Sequence, residues 1–208
     1  MRAGGAPVQG ATVTAFYYTT FGPLAFATTV TDALGQYVFA GNVSNTYLEV
    51  SNASTSQTSL ISQDYNDHNC QQGACNTRQG DLVSVDNYQV KTGIDFHLDP
   101  GAVIRGQVLS KSDGQGISAR VTLVGADGTV LAFTATDVNG SFATTALQAG
   151  SYYLRADNGD DCQLYPGVAC ATDGSVTAGQ AIVISGTQDV TGISLALLPD
   201  AVFANGFE

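Results

Sequence analysis

The sequence predicts an all-β protein built from two tandem β-sandwich domains. Three observations indicate this: the apolar residues come in short alternating runs, 24 of the 208 residues are glycine, and one pattern recurs about 100 residues later. Alternation with a period of two places every second side chain of a strand on one face of a sheet. Frequent glycines supply the turns between short strands.

The composition excludes several classes of function. The formal net charge is −11, from 7 Lys+Arg against 18 Asp+Glu. Such a surface repels nucleic-acid phosphates and anionic lipid, and no apolar run approaches the roughly 20 residues of a membrane span. The hydrophobic fraction of 44% is sufficient for a folded core. We therefore expect a globular protein that binds no nucleic acid and inserts into no membrane.

A repeat divides the chain into two copies. Residues 31–37 (Thr-Asp-Ala-Leu-Gly-Gln-Tyr) match residues 136–142 (Thr-Asp-Val-Asn-Gly-Ser-Phe), and residues 92–98 match residues 191–197. The offset drifts from 105 to 99 because the loops differ in length. We predict two domains and a C-terminal tail, at residues 1–99, 100–198 and 199–208.

The two copies begin differently. The second copy opens with a strand over residues 102–109 before the segment 117–121, whereas the first copy has the corresponding segment 8–13 with only a few residues ahead of it. We therefore expect the first domain to lack its first strand and the chain to be a fragment of a larger protein. On that expectation, the missing secretory signal at Met1 carries little weight.

Each copy then contains an Asp-x-x-Gly segment that predicts a hairpin turn. The side chains of Asp32 and Asp137 can accept a backbone hydrogen bond across the turn, and Gly35 and Gly140 can adopt the positive φ that closes it.

The later strands follow from alternation. Ile94, Phe96 and Leu98 are expected to face the core of the first domain, while Asp95 and His97 face water. In the second domain the same rule predicts that Tyr153 and Arg155 point outward. It predicts that the following side chains point into the core: Leu154, Ala156, Ile193, Leu195 and Leu197.

Four cysteines form two local pairs, Cys70 with Cys75 and Cys162 with Cys170, and glutamine follows the first cysteine of each pair. One interpretation is two disulfides in an oxidising compartment. A second is a metal site, although zinc sites favour two to four residues between paired thiolates and need four ligands. Here the gaps are four and seven residues. A third is a set of unpaired structural thiols. Disulfides, the favoured interpretation, predict a secreted protein.

Several of these segments resemble the carboxypeptidase regulatory-like domain family. The resemblance rests on Gly-x-x-Val-x-Gly-Ala-x-Val at 5–13, on the two Thr-Asp-x-x-Gly-x-Tyr/Phe segments and on Gly-Ser-Tyr-Tyr-Leu at 150–154, and it spans nearly all of 5–198. It implies Greek-key β-sandwiches of the transthyretin or prealbumin type, which occur in tandem in bacterial extracellular proteins beside catalytic or adhesive domains. Its motifs are structural and imply no activity.

The sequence contains no catalytic constellation. Its only histidines are His68, beside the first cysteine pair, and His97, on an outward strand position, and neither lies in a recognisable motif. The His-x-x-Glu segment of metallocarboxypeptidases is absent. We therefore expect no enzyme, no catalytic residue and no cofactor.

Two clusters are weaker candidates for ligand binding. The oxygens of Asp157, Asp160 and Asp161 would suit Ca²⁺, but the spacing is not that of an EF-hand, and a solvated turn is the alternative. Tyr17 and Tyr18 could stack against a glycan. Because adjacent residues of a strand face opposite sides, at least one of them points outward or lies in a loop; packing in the core or at a sheet edge is the alternative.

The sequence therefore predicts a non-enzymatic spacer or interaction module of a secreted or cell-surface bacterial protein, whose partner is the remainder of its own polypeptide. The alternative is a carbohydrate-binding accessory module of a larger extracellular enzyme. A glycan or another surface protein is then the expected partner.

Overall fold

The computed structural model describes residues 1–40, 45–51, 59–70, 75–76, 78–86, 89–171, 175–176 and 178–199. Every helix or strand assigned in these ranges is a β-strand, as the all-β prediction required. Within them, no helix of the length and hydrophobicity of a membrane span is found. The chain folds into two compact units, a first of Met1–Ala102 with Thr145–Gln148 and a second of Val103–Thr144 with the described residues from Ala149 onward.

The described strands of the first unit are β1 (Arg2–Ala3), β2 (Ala6–Pro7), β3 (Thr12–Thr19), β4 (Gly22–Val30), β5 (Tyr47–Ser51), β6 (Gln63–Asp64) and β7 (His68–Asn69). Strands β4-β3-β5-β6-β7 form an antiparallel sheet in that order, and β1 pairs with β2. Alternation in β3 and β5 turns their small and branched apolar side chains to one face, where Val13 and Val50 are fully buried.

The core of the first unit lies between this sheet and the extended segment 94–98. Phe96 and Leu98 are buried and Ile94 is half-buried, while Asp95 and His97 are exposed, which confirms the predicted alternation. The prediction that these residues form a continuous β-strand, however, is wrong. Their only bridge among the described residues is a parallel one between Arg2 and His97, because the neighbouring strand β1 is two residues long.

The described strands of the second unit are β8 (Ile104–Ser110), β9 (Arg120–Gly125), β10 (Val130–Ala135), β11 (Ser141–Ala143), β12 (Gly150–Asp157), β13 (Cys162–Leu164), β14 (Val168–Ala169), β15 (Ile182–Ile184) and β16 (Val190–Leu197). Strands β10-β9-β12-β13-β14, with β15 on β12, form one sheet, and β11-β8-β16 form the other. The pairing of β8 with β16 is parallel, and the remaining strand pairs are antiparallel.

The two sheets of the second unit form a β-sandwich. The side chains predicted to point inward are buried: Leu154, Ala156, Ile193, Leu195 and Leu197. A polar link joins the sheets within this core, because the backbone N–H of Ala196 in β16 donates to Oε1 of Gln163 in β13 at 2.9 Å. The buried faces of both sheets therefore meet, as a sandwich requires.

The outward prediction for Tyr153 and Arg155 is only partly correct. Both side chains are half-buried, because the second face of the sheet is not open to water. Tyr153 packs against Val124, Leu164 and Val176, a small apolar cluster on that face. The chain after β12 thus covers part of the face that alternation alone assigned to solvent.

The hydrogen bonds and the positive φ predicted for the two Asp-x-x-Gly turns are confirmed. Oδ1 of Asp32 accepts hydrogen bonds from two backbone N–H groups at 2.9 Å, and Oδ1 of Asp137 accepts two at 2.8 Å. Gly35 and Gly140 have φ of +70° and +72°. The hairpin prediction is wrong, however. In the second unit the turn follows β10 of one sheet and leads into β11 of the other, so it connects the two layers.

Candidate functional site

Two disulfides hold the segments that follow β5 and β12. Cys70 is bonded to Cys75, with their Cα atoms 4.3 Å apart, and Cys162 to Cys170, with their Cα atoms 5.5 Å apart. No free cysteine is present in the described part of the chain. Each bond closes a short loop, and such loops stabilise by about 2–3 kcal/mol in the chain-entropy model.

The two disulfides do not occupy equivalent positions, so the similar sequence frames proposed for them are misleading. Gln63 and Gln163 both hydrogen-bond to the last extended segment of their own unit, Gln63 to the carbonyl of His97 and Gln163 to the N–H of Ala196. Counting from these glutamines, Cys70 corresponds to Cys170.

Further hydrogen bonds confirm this register. The N–H of Tyr65 donates to the carbonyl of Leu48, and the N–H of Tyr165 donates to that of Leu154. Cys70 and Cys170 each donate their N–H to the residue eight positions earlier, which is Ser62 in the first unit and Cys162 in the second. The second disulfide therefore spans a pair of positions that a serine and a cysteine occupy in the first unit.

The same register reveals a pair of carboxyl groups on the outer face of the first unit's sheet. Glu49 of β5 is the cross-strand neighbour of Asp64 of β6, and directly opposite residues carry their side chains on one face, close together. Arg155 and Leu164 form the corresponding pair in the second unit. The first unit thus places two acids where the second has a base and an apolar residue.

Burial perturbs both acids. Asp64 is 1% exposed, and its Oδ1 has no hydrogen-bond partner in the described part of the protein. Burial raises the pKa of Asp64 to about 6, although a hydrogen bond from the backbone of Asn76 and the charge of His68 oppose the shift. Burial, with the nearby charge of Asp64, raises the pKa of Glu49 to about 7. Glu49 is therefore poised to gain or lose a proton near neutral pH.

Glu49 lines an open cleft of about 530 Å³ on this face. Phe16 and Tyr18 of β3 lie on the same side of the sheet, because Thr14, two residues from Phe16, pairs with Glu49. The remaining lining residues come from the adjoining ends of β3 and β4 with the turn between them, and from the segment that begins at Cys75: Thr19, Thr20, Gly22, Pro23, Cys75, Asn76 and Arg78. The guanidinium of Arg78 lies over the Tyr18 ring, 4.1 Å from its centroid.

The two tyrosines proposed as a glycan platform lie on opposite faces of β3. Tyr18 lines the cleft and makes an edge contact with Tyr47, with ring centroids 5.4 Å apart. Tyr17 points to the other face, where it is 42% exposed and packs against Phe26. The structure therefore associates Tyr18, and not Tyr17, with the cleft.

The acidic cluster of the second unit takes part in local structure. Oδ2 of Asp161 accepts hydrogen bonds from Nζ of Lys111 at 2.7 Å and from the N–H of Leu198 at 2.8 Å, and Oδ1 accepts from Cys162. The Lys111 hydrogen bond lowers the pKa of Asp161. Asp157 forms an ion pair with Arg155 at 3.6 Å. A bound Ca²⁺ would have to displace the ammonium group of Lys111 from Asp161.

The remaining candidates are accounted for by local contacts. Both histidines are exposed, and Nδ1 of His97 lies 3.3 Å from Oδ1 of Asp67. Among the described residues, one group of three potential metal ligands is close enough to share an ion: Asp64, Cys70 and Cys75. Because the two sulphur atoms are bonded to each other, they offer no thiolate. This group does not fit a zinc ion.

Sequence reasoning missed Glu49, Asp64 and Arg78. The signal that could have found the acid pair is the match between Ser-Gln-Asp-Tyr at 62–65 and Cys-Gln-Leu-Tyr at 162–165. Aligning the cysteine pairs by their first members concealed that match. Arg78 carries no comparable signal, since its position depends on the course of the chain after Cys75.

Comparisons with known proteins identify no family. No protein-family model matches the chain, and no curated protein matches it. It is similar to the solved Bacillus anthracis TIE protein, at 10% identity over 91% of this chain and 30% of that one, with a TM-score of 0.34. It is likewise similar to the shaft pilin SpaA from Lactobacillus rhamnosus GG, at 10% identity over 96% of this chain and 91% of that one, with a TM-score of 0.35.

A third solved structure, BcpA, the major pilin subunit of Bacillus cereus, is 10% identical over 93% of this chain and 60% of its own, with a TM-score of 0.31. Of these three proteins, the TIE protein is the one of which this chain spans the smallest share, less than a third of its length. TM-scores of this size do not identify a shared fold, and the all-β architecture described above stands on the coordinates of the chain itself.

Proposed function

We propose that this chain is a non-enzymatic structural or accessory module of a secreted or cell-surface bacterial protein, made of two carboxypeptidase regulatory-like domains at 1–99 and 100–198 with a tail at 199–208. The observation that carries the proposal is the hydrogen-bond frame common to both units. In each, a buried glutamine reaches the last extended segment, and an Asp-x-x-Gly turn is capped by its own carboxylate. These features maintain a fold and perform no chemistry. The partner of such a module is the remainder of its own polypeptide.

The extracellular location is supported by the two disulfides. Disulfides persist in oxidising compartments and are rare where thiols are kept reduced. Each bond joins two cysteines that are close in sequence, five positions apart in the first unit and eight in the second. An exported spacer benefits from such bonds, because each limits local unfolding of the chain around it.

The test of a non-enzymatic role is a hydrolysis assay on ester, peptide and glycoside substrates. Glu49 and Asp64 are the described residues best suited to acid–base chemistry, because they face each other and their pKa values lie near 7 and 6. The expected result is no turnover above that of the Glu49→Gln variant. Turnover that Glu49→Gln removes would overturn the proposal.

A second candidate, a carbohydrate-binding accessory module, is favoured by one observation, the cleft lined by Phe16 and Tyr18 on the first unit. An open cleft with aromatic and polar walls is the usual form of a small-ligand site. The two candidates are compatible, because a spacer can carry a binding site on one of its domains.

A further inference from the structure

The cleft on the first unit combines an aromatic surface with a hydrogen-bond donor and an acceptor. Phe16 supplies the surface, and the carboxyl of Glu49 lies on the same sheet face. The guanidinium of Arg78 lines the same cleft from the segment beyond the first disulfide. Groups of these three kinds converge on few surfaces unless a ligand uses them.

Arg78 is oriented by Tyr18 and is not neutralised by a carboxylate. Its guanidinium lies over the Tyr18 ring at 4.1 Å from the centroid, a cation–π contact that holds the guanidinium beside the cleft. Within the described residues, no carboxylate oxygen lies within the 4.0 Å of an ion pair with Arg78. Its N–H groups are therefore available to a ligand, and so is the carboxyl of Glu49 in the same cleft.

The second unit shows that the fold does not require polar groups at this place. Strand pairing aligns Phe16 with Val124 and Asp64 with Leu164. Val124 and Leu164 pack into an apolar cluster with Val176. The first unit keeps a buried acid instead, at a cost in desolvation. Departures of this kind from the packing rules concentrate at functional sites.

We propose that this cleft binds a neutral sugar ring of a glycan, with the C–H face of the ring on Phe16 and its hydroxyl groups hydrogen-bonded to Arg78 and Glu49. This inference rests on the second candidate function. A sugar hydroxyl accepts from a guanidinium and donates to a carboxylate, so one ring with neighbouring hydroxyls satisfies both side chains. Asn76 and Thr20 at the rim add further polar partners.

Other ligand classes fit the cleft less well. The cleft holds charges of both signs, Arg78 against Glu49 and its neighbour Asp64, so a uronic acid or a cationic ligand meets a like charge together with an opposite one and gains little from either. A peptide strand adds to the edge of a sheet, whereas this cleft lies on the face of β3 and β5, each of which already has a strand on both sides.

The test is an NMR titration of the full ¹⁵N-labelled chain with neutral hexasaccharides of glucose, xylose, mannose and N-acetylglucosamine, and with a galacturonate hexamer. We expect at least one neutral probe to shift the amides of Phe16, Tyr18 and Arg78. We expect Arg78→Gln to raise the Kd about tenfold, because hydrogen bonds to charged groups are among the stronger ones. Phe16→Leu, which keeps bulk and removes the ring, should also weaken binding.

Tyr17→Ala is the matched control, since Tyr17 neighbours the cleft in sequence but lies on the opposite face. It should leave the Kd within about twofold. Three results overturn the inference: no neutral probe shifts these amides, the galacturonate hexamer binds more tightly than every neutral probe, or Tyr17→Ala weakens binding as much as Arg78→Gln. Because Arg78 is exposed, loss of folding does not confuse the Arg78→Gln result. None of these results affects the spacer proposal, which fails on enzymatic turnover instead.

Discussion

Asp64 and Leu164 occupy corresponding positions in the strand pairing of the two units, and burial has a different energetic cost for each. Leu164 completes an apolar cluster, whereas Asp64 buries a carboxylate beside a second acid, and one of its oxygens has no hydrogen-bond partner among the residues that the structure describes. Two facing carboxyl groups resist simultaneous ionisation, so the first unit carries an electrostatic strain that depends on pH.

This strain predicts that the first unit is more stable in mild acid than in base. The pKa of Glu49 is about 7 in the folded protein and about 4.3 in an unfolded chain. The folded state therefore binds more protons between these values, and its stability falls as the pH rises through 7. Among the described residues, the charge of Asp64 on β6 acts on Glu49, and Arg78 lines the same cleft.

Glu49→Gln isolates this contribution. Since Glu49 is only partly buried, screening reduces the gain at pH 8 to about 1 kcal/mol, or roughly 4 °C in the Tm of the first unit. At pH 4.5 the variant and the parent should melt together. Thermal unfolding at the two pH values checks this, and an equal change in Tm at both would contradict it.

Asp137 illustrates a residue whose whole contribution is local. Its Oδ1 accepts the N–H groups of Asn139 and Ser141. Asp137→Ala leaves both without their partner, so we expect a loss of about 1–2 kcal/mol, as for a helix N-cap. Asp137→Asn retains an acceptor oxygen and should lose less. Denaturant unfolding measures both, and an Asn variant as unstable as the Ala variant would contradict the assignment.

At the scale of elements, the Asp-x-x-Gly turn matters because it carries the chain from one sheet to the other. Gly140 has a positive φ of +72°, and a Cβ there would overlap the carbonyl oxygen of Val108 in β8. The glycine is needed both for the backbone conformation and for the close approach of the turn to that strand.

Gly159 separates these two requirements. It also has a positive φ, +97°, but an added Cβ would meet no atom within 4 Å. Gly159→Ala should therefore cost about 1 kcal/mol from backbone strain, and Gly140→Ala about 3 kcal/mol or more from strain with a backbone overlap. Chemical denaturation of the two variants gives the comparison. Similar losses in both would show that the contact with β8 is unimportant.

The elements also show where prediction from sequence succeeds. Alternation over 94–98 and 191–197 gave the buried residues correctly, and the Asp-x-x-Gly pattern gave the turn atoms, because both depend on a few neighbouring residues. The sheet in which each strand lies was not predictable, since β10 and β11 are adjacent in sequence and lie in different layers. Glu49 and Asp64 are neighbours only because of the register in which β5 pairs with β6. They are fifteen positions apart in sequence, and no local pattern specifies that register.

At the scale of the whole molecule, the two units have the same glutamine and Asp-x-x-Gly hydrogen bonds and differ in the side chains around them. In the second unit, Asp161 accepts hydrogen bonds from Lys111 and from Leu198, the residue after β16. Because these contacts already engage Asp161, we expect added Ca²⁺ to leave the Tm of the chain unchanged. Calorimetry with and without CaCl₂ tests this, and a rise in Tm that Asp160→Asn abolishes would restore the calcium hypothesis.

We propose that the chain is exported and that each of its two units is held by its own disulfide. Peptide mapping without reduction, on protein isolated from the cells that naturally make it, tests this most directly. We expect two linked peptides, Cys70–Cys75 and Cys162–Cys170. Free thiols, or a bond that joins a cysteine of one unit to a cysteine of the other, would contradict it.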